Sequence, residues 1–328
     1  MEEVLAGVKR VFWNGDEKRL RAPFRIPAAV GLALLALQIV VGMVRFLSSA
    51  LALPSTITTT VIIATLTVAG VAVAWFVDRR YRRDMGLELD QRWWLDAAAG
   101  LVVGLGMVAA VVVTLRLAGM ASVGGPYRPS GTTVAVGDDS AALGLLYGFA
   151  FFVAVAVLEE FAVRGYLLTN VAEGLRGYVS TDRTAVWVAI LGTAGLFGVL
   201  HAANPGGNWL SFLNITLAGV LLGIAYAATG RLAFPIGLHT TWNFGLGPLF
   251  GLPVSGLRAD TALVPVRVDG PRLVTGGSFG PEGGLVMLVA LAAGAGMLAW
   301  WVDRRDESLA PDERIAIPDL WTGESEDS

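Results

Sequence analysis

The sequence predicts an all-α fold, a polytopic transmembrane helix bundle of about eight spans with its functional helices in the second half. Three observations predict it. The 328 residues are 55% hydrophobic and only 16% charged, where a soluble domain carries about 25% charged residues. The apolar residues are gathered into segments of roughly 17–25 residues, long enough to cross a bilayer. The arginines between those segments fall, loop by alternate loop, mostly on one side, as the positive-inside rule requires.

In chain order, residues 1–25 form a cytoplasmic leader. It opens acidic at Met1-Glu2-Glu3, and no short apolar region with a cleavage site follows, so no signal peptide is expected. Val4, Leu5, Val8, Val11 and Phe12 recur at helical spacing, which fits either a short interfacial helix or an ordinary polar leader. Residues 26–139 hold three spans, at 26–47, 56–77 and 95–118. Residues 140–251 hold four more, at 141–163, 184–203, 209–228 and 232–251. A Gly/Pro-containing loop, 252–283, is expected outside the cytoplasm, and a last span occupies 284–302. The tail, 303–328, carries nine acids against three arginines and reads as a solvated, largely disordered extension. Arginines before span one, in the loop 79–92, at 176 and 183, at 231 and at 304–305 put both termini in the cytoplasm of a multi-pass membrane protein. Gly100, Gly104, Gly106, Gly219 and Gly223 are expected where helices approach closely.

The absence of cysteine excludes disulfides, thiolate nucleophiles and cysteine-ligated metals. No phosphate-binding glycine loop is present, and nucleic acid is not an expected partner. The expected partners are the bilayer and a membrane-anchored peptide or protein.

The informative residues are ionisable groups inside apolar segments, each costing roughly 2.5–3.5 kcal/mol at the bilayer centre. Glu159 and Glu160 end an apolar run, and the chain's only two histidines, His201 and His239, sit in two later ones. In Glu159-Glu160-Phe161-Ala162-Val163-Arg164, Glu160 and Arg164 are four apart and can pair on one helix face. Glu159 lies about 100° round the helix and stays free to accept a proton. The competing reading is a pair of interfacial carboxylates. In Phe197-Gly198-Val199-Leu200-His201, the histidine ends a helix that Asn204-Pro205 must break, so it is either a catalytic group or a C-terminal cap. In His239-Thr240-Thr241-Trp242-Asn243, histidine and asparagine share a face, either as converging donors for an oxyanion or as interhelical packing bonds.

The ordered set EExxxR, FxxxH and HxxxN resembles the CPBP family (also ABI/CAAX proteases), intramembrane proteases related to type II CAAX prenyl endopeptidases. The resemblance covers roughly residues 140–250. It implies hydrolysis of a peptide bond in a membrane-associated substrate, prenylated CAAX-like peptides being one class. Glu159 then matches the general base, aided by His201. His239 and Asn243 match the oxyanion pair, with Glu160, Arg164 and Phe197 in support. No cofactor is expected. A zinc version would use Glu159, His201 and His239, but the usual His-Glu-x-x-His helix is absent. A proton-coupled transporter and a non-catalytic relative, acting in bacteriocin immunity or complex assembly, are the other readings. The first needs an internal repeat, which 26–139 and 140–302 do not show. The second is favoured by loss of Glu159 or His239, and both are present.

One geometric demand follows. Span five runs outward, so His201 at its end belongs near the outer face while Glu159 and His239 lie deeper. A shared site requires span five to stop within the membrane and Asn204-Pro205-Gly206-Gly207 to dip into a cavity. At 1.5 Å of rise per residue, a His201–Glu159 separation of about 15 Å or more would exclude it.

Overall fold

The computed structural model describes residues 11–51, 55–125, 133–134, 141–305 and 307–321. It is an all-α bundle. The long helices are α1 (Ala22–Leu51), α2 (Ser55–Asp78), α3 (Gln91–Leu117), α4 (Ala141–Glu160), α6 (Asp182–Ala202), α7 (Trp209–Thr229) and α10 (Val286–Asp303). Between them are the short α5 (Thr169–Leu175), α8 (Ala233–Phe244) and α9 (Arg272–Thr275). Among the described residues seven helices are long and apolar enough to cross a membrane. One of them joins α4, a π-helical stretch (Phe161–Leu168) and α5 into a single run, Ala142–Leu175.

The expected span at 232–251 differs. It is the 12-residue α8, continued by a π turn (Gly245–Leu249), and every residue from Ala233 to Asn243 is buried. At the usual rise, residues 233–249 reach only about 25 Å, short of a roughly 30 Å hydrocarbon core. A helix apolar on all sides can be enclosed by protein as readily as by lipid, and composition does not separate the two cases.

Glycines set the depth of α8. A Cβ on Gly100 would lie 2.2 Å from the Phe234 carbonyl oxygen, and one on Gly104 would lie 2.3 Å from that of Leu238. Gly237 on α8 would meet Ala97 O at 2.3 Å. Both backbones therefore approach along bare faces, and Thr241 Oγ1 completes the seam by donating to Leu101 O at 2.8 Å. Gly219 and Gly223 of α7 likewise fit against Ala194 and Ile190 of α6. Gly106 meets only the flexible end of Met297.

The arginines expected before span one and in the loop between spans two and three are partly internal. Arg19, Arg25 and Arg80 are buried, and all three converge on Glu173 of α5. Arg25 also pairs with Asp78, Arg80 with Asp84, and Arg19 with Glu17 at 2.8 Å. Asn170 bridges the cluster, accepting from Arg25 and donating to Asp78 at 3.2 Å. This ties a hairpin (β1, Trp13–Asn14, against β2, Arg19–Leu20) to the ends of α1, α2 and α5.

Of the leader helix expected over residues 4–12, residues 1–10 lie outside the described part, Val11 and Phe12 are helical, and the hairpin begins at Trp13. One expectation about the termini changes. The tail segment 307–321 packs on the bundle instead of extending into solvent. Ile315 and Ala316 are buried, Asp312 N donates to Ala227 O, and Trp321 bonds Arg79 O and Trp75 O. Apolar residues spaced among its acids find a surface there, which net charge alone conceals. Residues 322–328 lie outside the described part.

Candidate active site

Each helix that carries a site residue ends or bends at it. α4 stops at Glu160 and opens into the π-helical stretch, a wide turn frequent at functional sites. α6 begins on a Thr181 cap that accepts from Thr184 N at 3.1 Å, and ends one residue past His201. The turn Asn204-Pro205-Gly206-Gly207 follows, with Gly206 at φ 80°, and α7 starts on a capping box formed by Asn208 and Ser211. α8 likewise gives way to a π turn two residues after Asn243.

These ends bring all seven expected residues together. Glu160 is fully buried, and its Oε1 accepts from Arg164 Nη1 at 2.8 Å, the pairing that the i,i+4 spacing predicted. The same oxygen accepts from His239 Nδ1 at 2.8 Å. That second bond crosses from α4 to α8, and no spacing rule foretold it. Arg164 also donates to Gly219 O at 3.3 Å and lies 4.7 Å over the Phe197 ring. Phe197 in turn packs its ring 4.3 Å from that of His201 and edge-on to His239 at 6.1 Å.

Glu159 is treated differently. Its side chain is 32% exposed, yet Oε2 is buried and has no hydrogen-bond partner. His201 Nε2 and His239 Nε2 each stand 3.8 Å from it, beyond direct hydrogen-bonding range. The separation demanded of a shared site is therefore met, because α6 stops inside the bundle. Each imidazole has its other nitrogen engaged. His201 Nδ1 lies 2.9 Å from Phe197 O and His239 Nδ1 lies on Glu160. Both acceptors are oxygens without hydrogens, so Nδ1 is the donor in each ring and Nε2 is turned towards Glu159. His201 thus caps a backbone carbonyl and faces the carboxylate at once, and His239 makes an interhelical bond while doing the same.

The cavity they line has a volume of about 230 Å³ and also receives Asn243, Asn204 and Trp242. Phe151, Phe152, Val155 and Leu238 make much of the remaining wall apolar. Among the described residues no group of three or more His, Asp or Glu side chains is arranged to hold a metal ion.

The loop after α8 supplies residues that the sequence reading missed. Glu282, a charge in the loop 252–283, is buried and lines the cavity. It accepts from Trp242 Nε1 and from Ser255 Oγ, each at 2.9 Å, and from Ser255 N. Ser255 holds φ at 45°, a left-handed conformation costing roughly 1–3 kcal/mol for a non-glycine residue. Its carbonyl accepts from Asn204 Nδ2 at 3.0 Å. Glu282 therefore clamps a strained loop to the residue beside Asn243 and, through Ser255, to the turn after His201. The pattern Gly280-Pro281-Glu282-Gly283-Gly284 marks a turn but gives no sign that its acid points inward.

Residues 141–245 match the family model described as type II CAAX prenyl endopeptidase Rce1-like. The match runs from the start of α4 into the π turn after α8, and all seven residues above lie within it. It supports the CPBP/CAAX protease resemblance over that segment, and with it a protease in general. No curated protein and no solved structure gives a significant match to the chain.

Proposed function

We propose that the chain is an intramembrane endopeptidase that hydrolyses a peptide bond in a membrane-anchored substrate with a glutamate-activated water and no metal. The observation that carries this reading is Glu159 Oε2, buried, without a partner, and equidistant from two histidine Nε2 atoms beside a cavity of about 230 Å³. A buried polar atom left unpaired is expensive, and a general base needs such an atom.

A substrate water bonded to Glu159 Oε2 is also within reach of His201 Nε2, which accepts its second hydrogen. As the water oxygen attacks the carbonyl carbon, Glu159 takes the first proton and the carbonyl oxygen becomes an oxyanion. The Asn243 amide and the doubly protonated ring of His239 donate to that oxyanion. Glu160 carries the charge opposite this imidazolium, while Arg164 and Phe197 hold Glu160 and both rings in place. Glu159 then passes its proton to the leaving nitrogen, the C–N bond breaks, and a carboxylic acid and an amine depart. Both termini are assigned to the cytoplasm by the arginine-bearing loops, and prenylated CAAX-like peptides are the first substrate class to test.

The experiment compares wild type, Glu159→Gln and His239→Ala on a library of membrane-anchored peptides, with and without a strong chelator. Cleavage by wild type alone, insensitive to chelator, is expected. Equal cleavage by all three proteins removes the assignment, and loss of activity with chelator transfers it to the zinc version using Glu159, His201 and His239. Uptake without cleavage would return the transporter reading.

A further inference from the structure

Beside the catalytic cavity lies a second one, of about 610 Å³, built from the loop that follows α8. Its wall contains Arg258, Arg267 and Arg272, and among the described residues Asp269 is the sole carboxylate lining it. None of the three arginines is ion-paired among the described residues. Arg258 Nη1 donates to Gly251 O at 3.0 Å and Arg272 Nη2 to Gly206 O at 3.4 Å. This contrasts with the other end of the molecule, where Arg19, Arg25 and Arg80 all have carboxylates.

Arg258 is half-buried and lines both cavities, so this residue stands between the reacting centre and the second chamber. With Nη1 held by Gly251, Nη2 and Nε are left as one edge of the fork, the edge that takes a carboxylate through two parallel bonds. Resting on the protease reading, we infer that this chamber binds a carboxylate of the peptide substrate on one side of the scissile bond, with Arg258 as the specificity-determining contact. Arg267 and Arg272 add attraction to the approach of an anionic segment. The carboxylate is that of the peptide's own C-terminus or of an acidic side chain near it. Both present the same group to the guanidinium.

The test uses the full chain in neutral detergent, free of anionic lipid, in a Glu159→Gln background so that binding is read without turnover. Three fluorescent peptides share one hydrophobic segment. The first ends in a free carboxylate, the second in an amide, and the third in an amide with one glutamate near the end. The free-carboxylate peptide, the glutamate peptide or both should bind about tenfold tighter than the neutral amide, and whichever does so identifies the source. Adding Arg258→Gln should bring the ratio to about one. The exposed pair Arg267→Gln/Arg272→Gln serves as a second variant that does not depend on a buried side chain, and should reduce the ratio partially. Equal binding of all three peptides, no saturable binding of any, or a preference that survives both sets of substitutions overturns the inference. Charge-dependent binding without cleavage by the wild type would leave this site standing and remove only the protease reading.

Discussion

At the base of the bundle, Arg19, Arg25 and Arg80 meet Glu173, Asp78 and Asp84, and every guanidinium has a carboxylate. Thirteen residues back along the same helical run, about 20 Å away at the usual rise, Glu160 is as deeply buried and its Oε1 is paired twice; Oε2 of Glu160 and Oε2 of its neighbour Glu159 have no hydrogen-bond partner, and of the two only Glu159 lines the cavity. Both regions place ionisable groups in apolar surroundings. One uses them up on each other. The other spends Glu160 on orienting Arg164 and His239, and leaves Glu159 and two imidazole edges facing a cavity. The difference teaches how to read buried charge: paired groups hold a shape, while an unpaired group beside polar neighbours and a cavity is a candidate for chemistry.

That contrast can be broken most decisively at Glu159. Glu159→Gln should lower single-turnover cleavage by about 10³-fold, within the range of general-base catalysis, with little change in thermal unfolding in detergent. A melting temperature that collapses with the activity would make Glu159 a structural residue after all. At the base the pattern should invert. Glu173→Gln leaves three buried guanidiniums short of a counter-charge and should cost about 3–5 kcal/mol of stability, while the folded fraction keeps its turnover rate. Loss of turnover without loss of stability would show that the base communicates with the cavity.

Gly104→Ala tests whether the glycine seam serves the site. Its Cβ would fall 2.2 Å from Thr241 Oγ1 and 2.3 Å from Leu238 O, so α8 must move, carrying His239 and Asn243. A displacement near 1 Å should reduce kcat by about 10²-fold. Gly106→Ala, facing only Met297, is the matched control and should change kcat little. The smallest effect is expected at the tail. Trp321→Ala loses one indole bond to Trp75 O and a contact 5.0 Å from Arg79. Under about 1 kcal/mol should be lost, with cleavage unchanged. A larger loss would make the tail part of the base cluster.

Much of the site was legible in the primary structure because its groups are rare and costly where they stand. Two histidines in the whole chain, and a glutamate pair within an apolar run, identify themselves. Glu160–Arg164 follows from helical spacing alone. Glu282 was not legible. Its neighbours are glycine and proline, it lies among other loop charges, and only the folded loop turns it onto Trp242 and Ser255. The same holds for Arg19, Arg25 and Arg80, whose burial depends on acids drawn from α2, the segment after it, and α5.

The amino-acid sequence by itself determined a membrane-embedded helical bundle, its long apolar helices, the pairing within EExxxR and the set of polar groups that had to be explained. Those properties depend on local periodicity and on the cost of charge in lipid, both read from neighbours in the chain. The tertiary structure decided that α8 is short and enclosed, that α6 stops where His201 faces Glu159, that Glu160 receives the Nδ1 hydrogen of His239, and that a loop acid lines the cavity. Each of these is a contact between segments distant along the chain. Such contacts are set by how closely glycine faces let helices approach and by which buried groups find partners, and no local pattern encodes either.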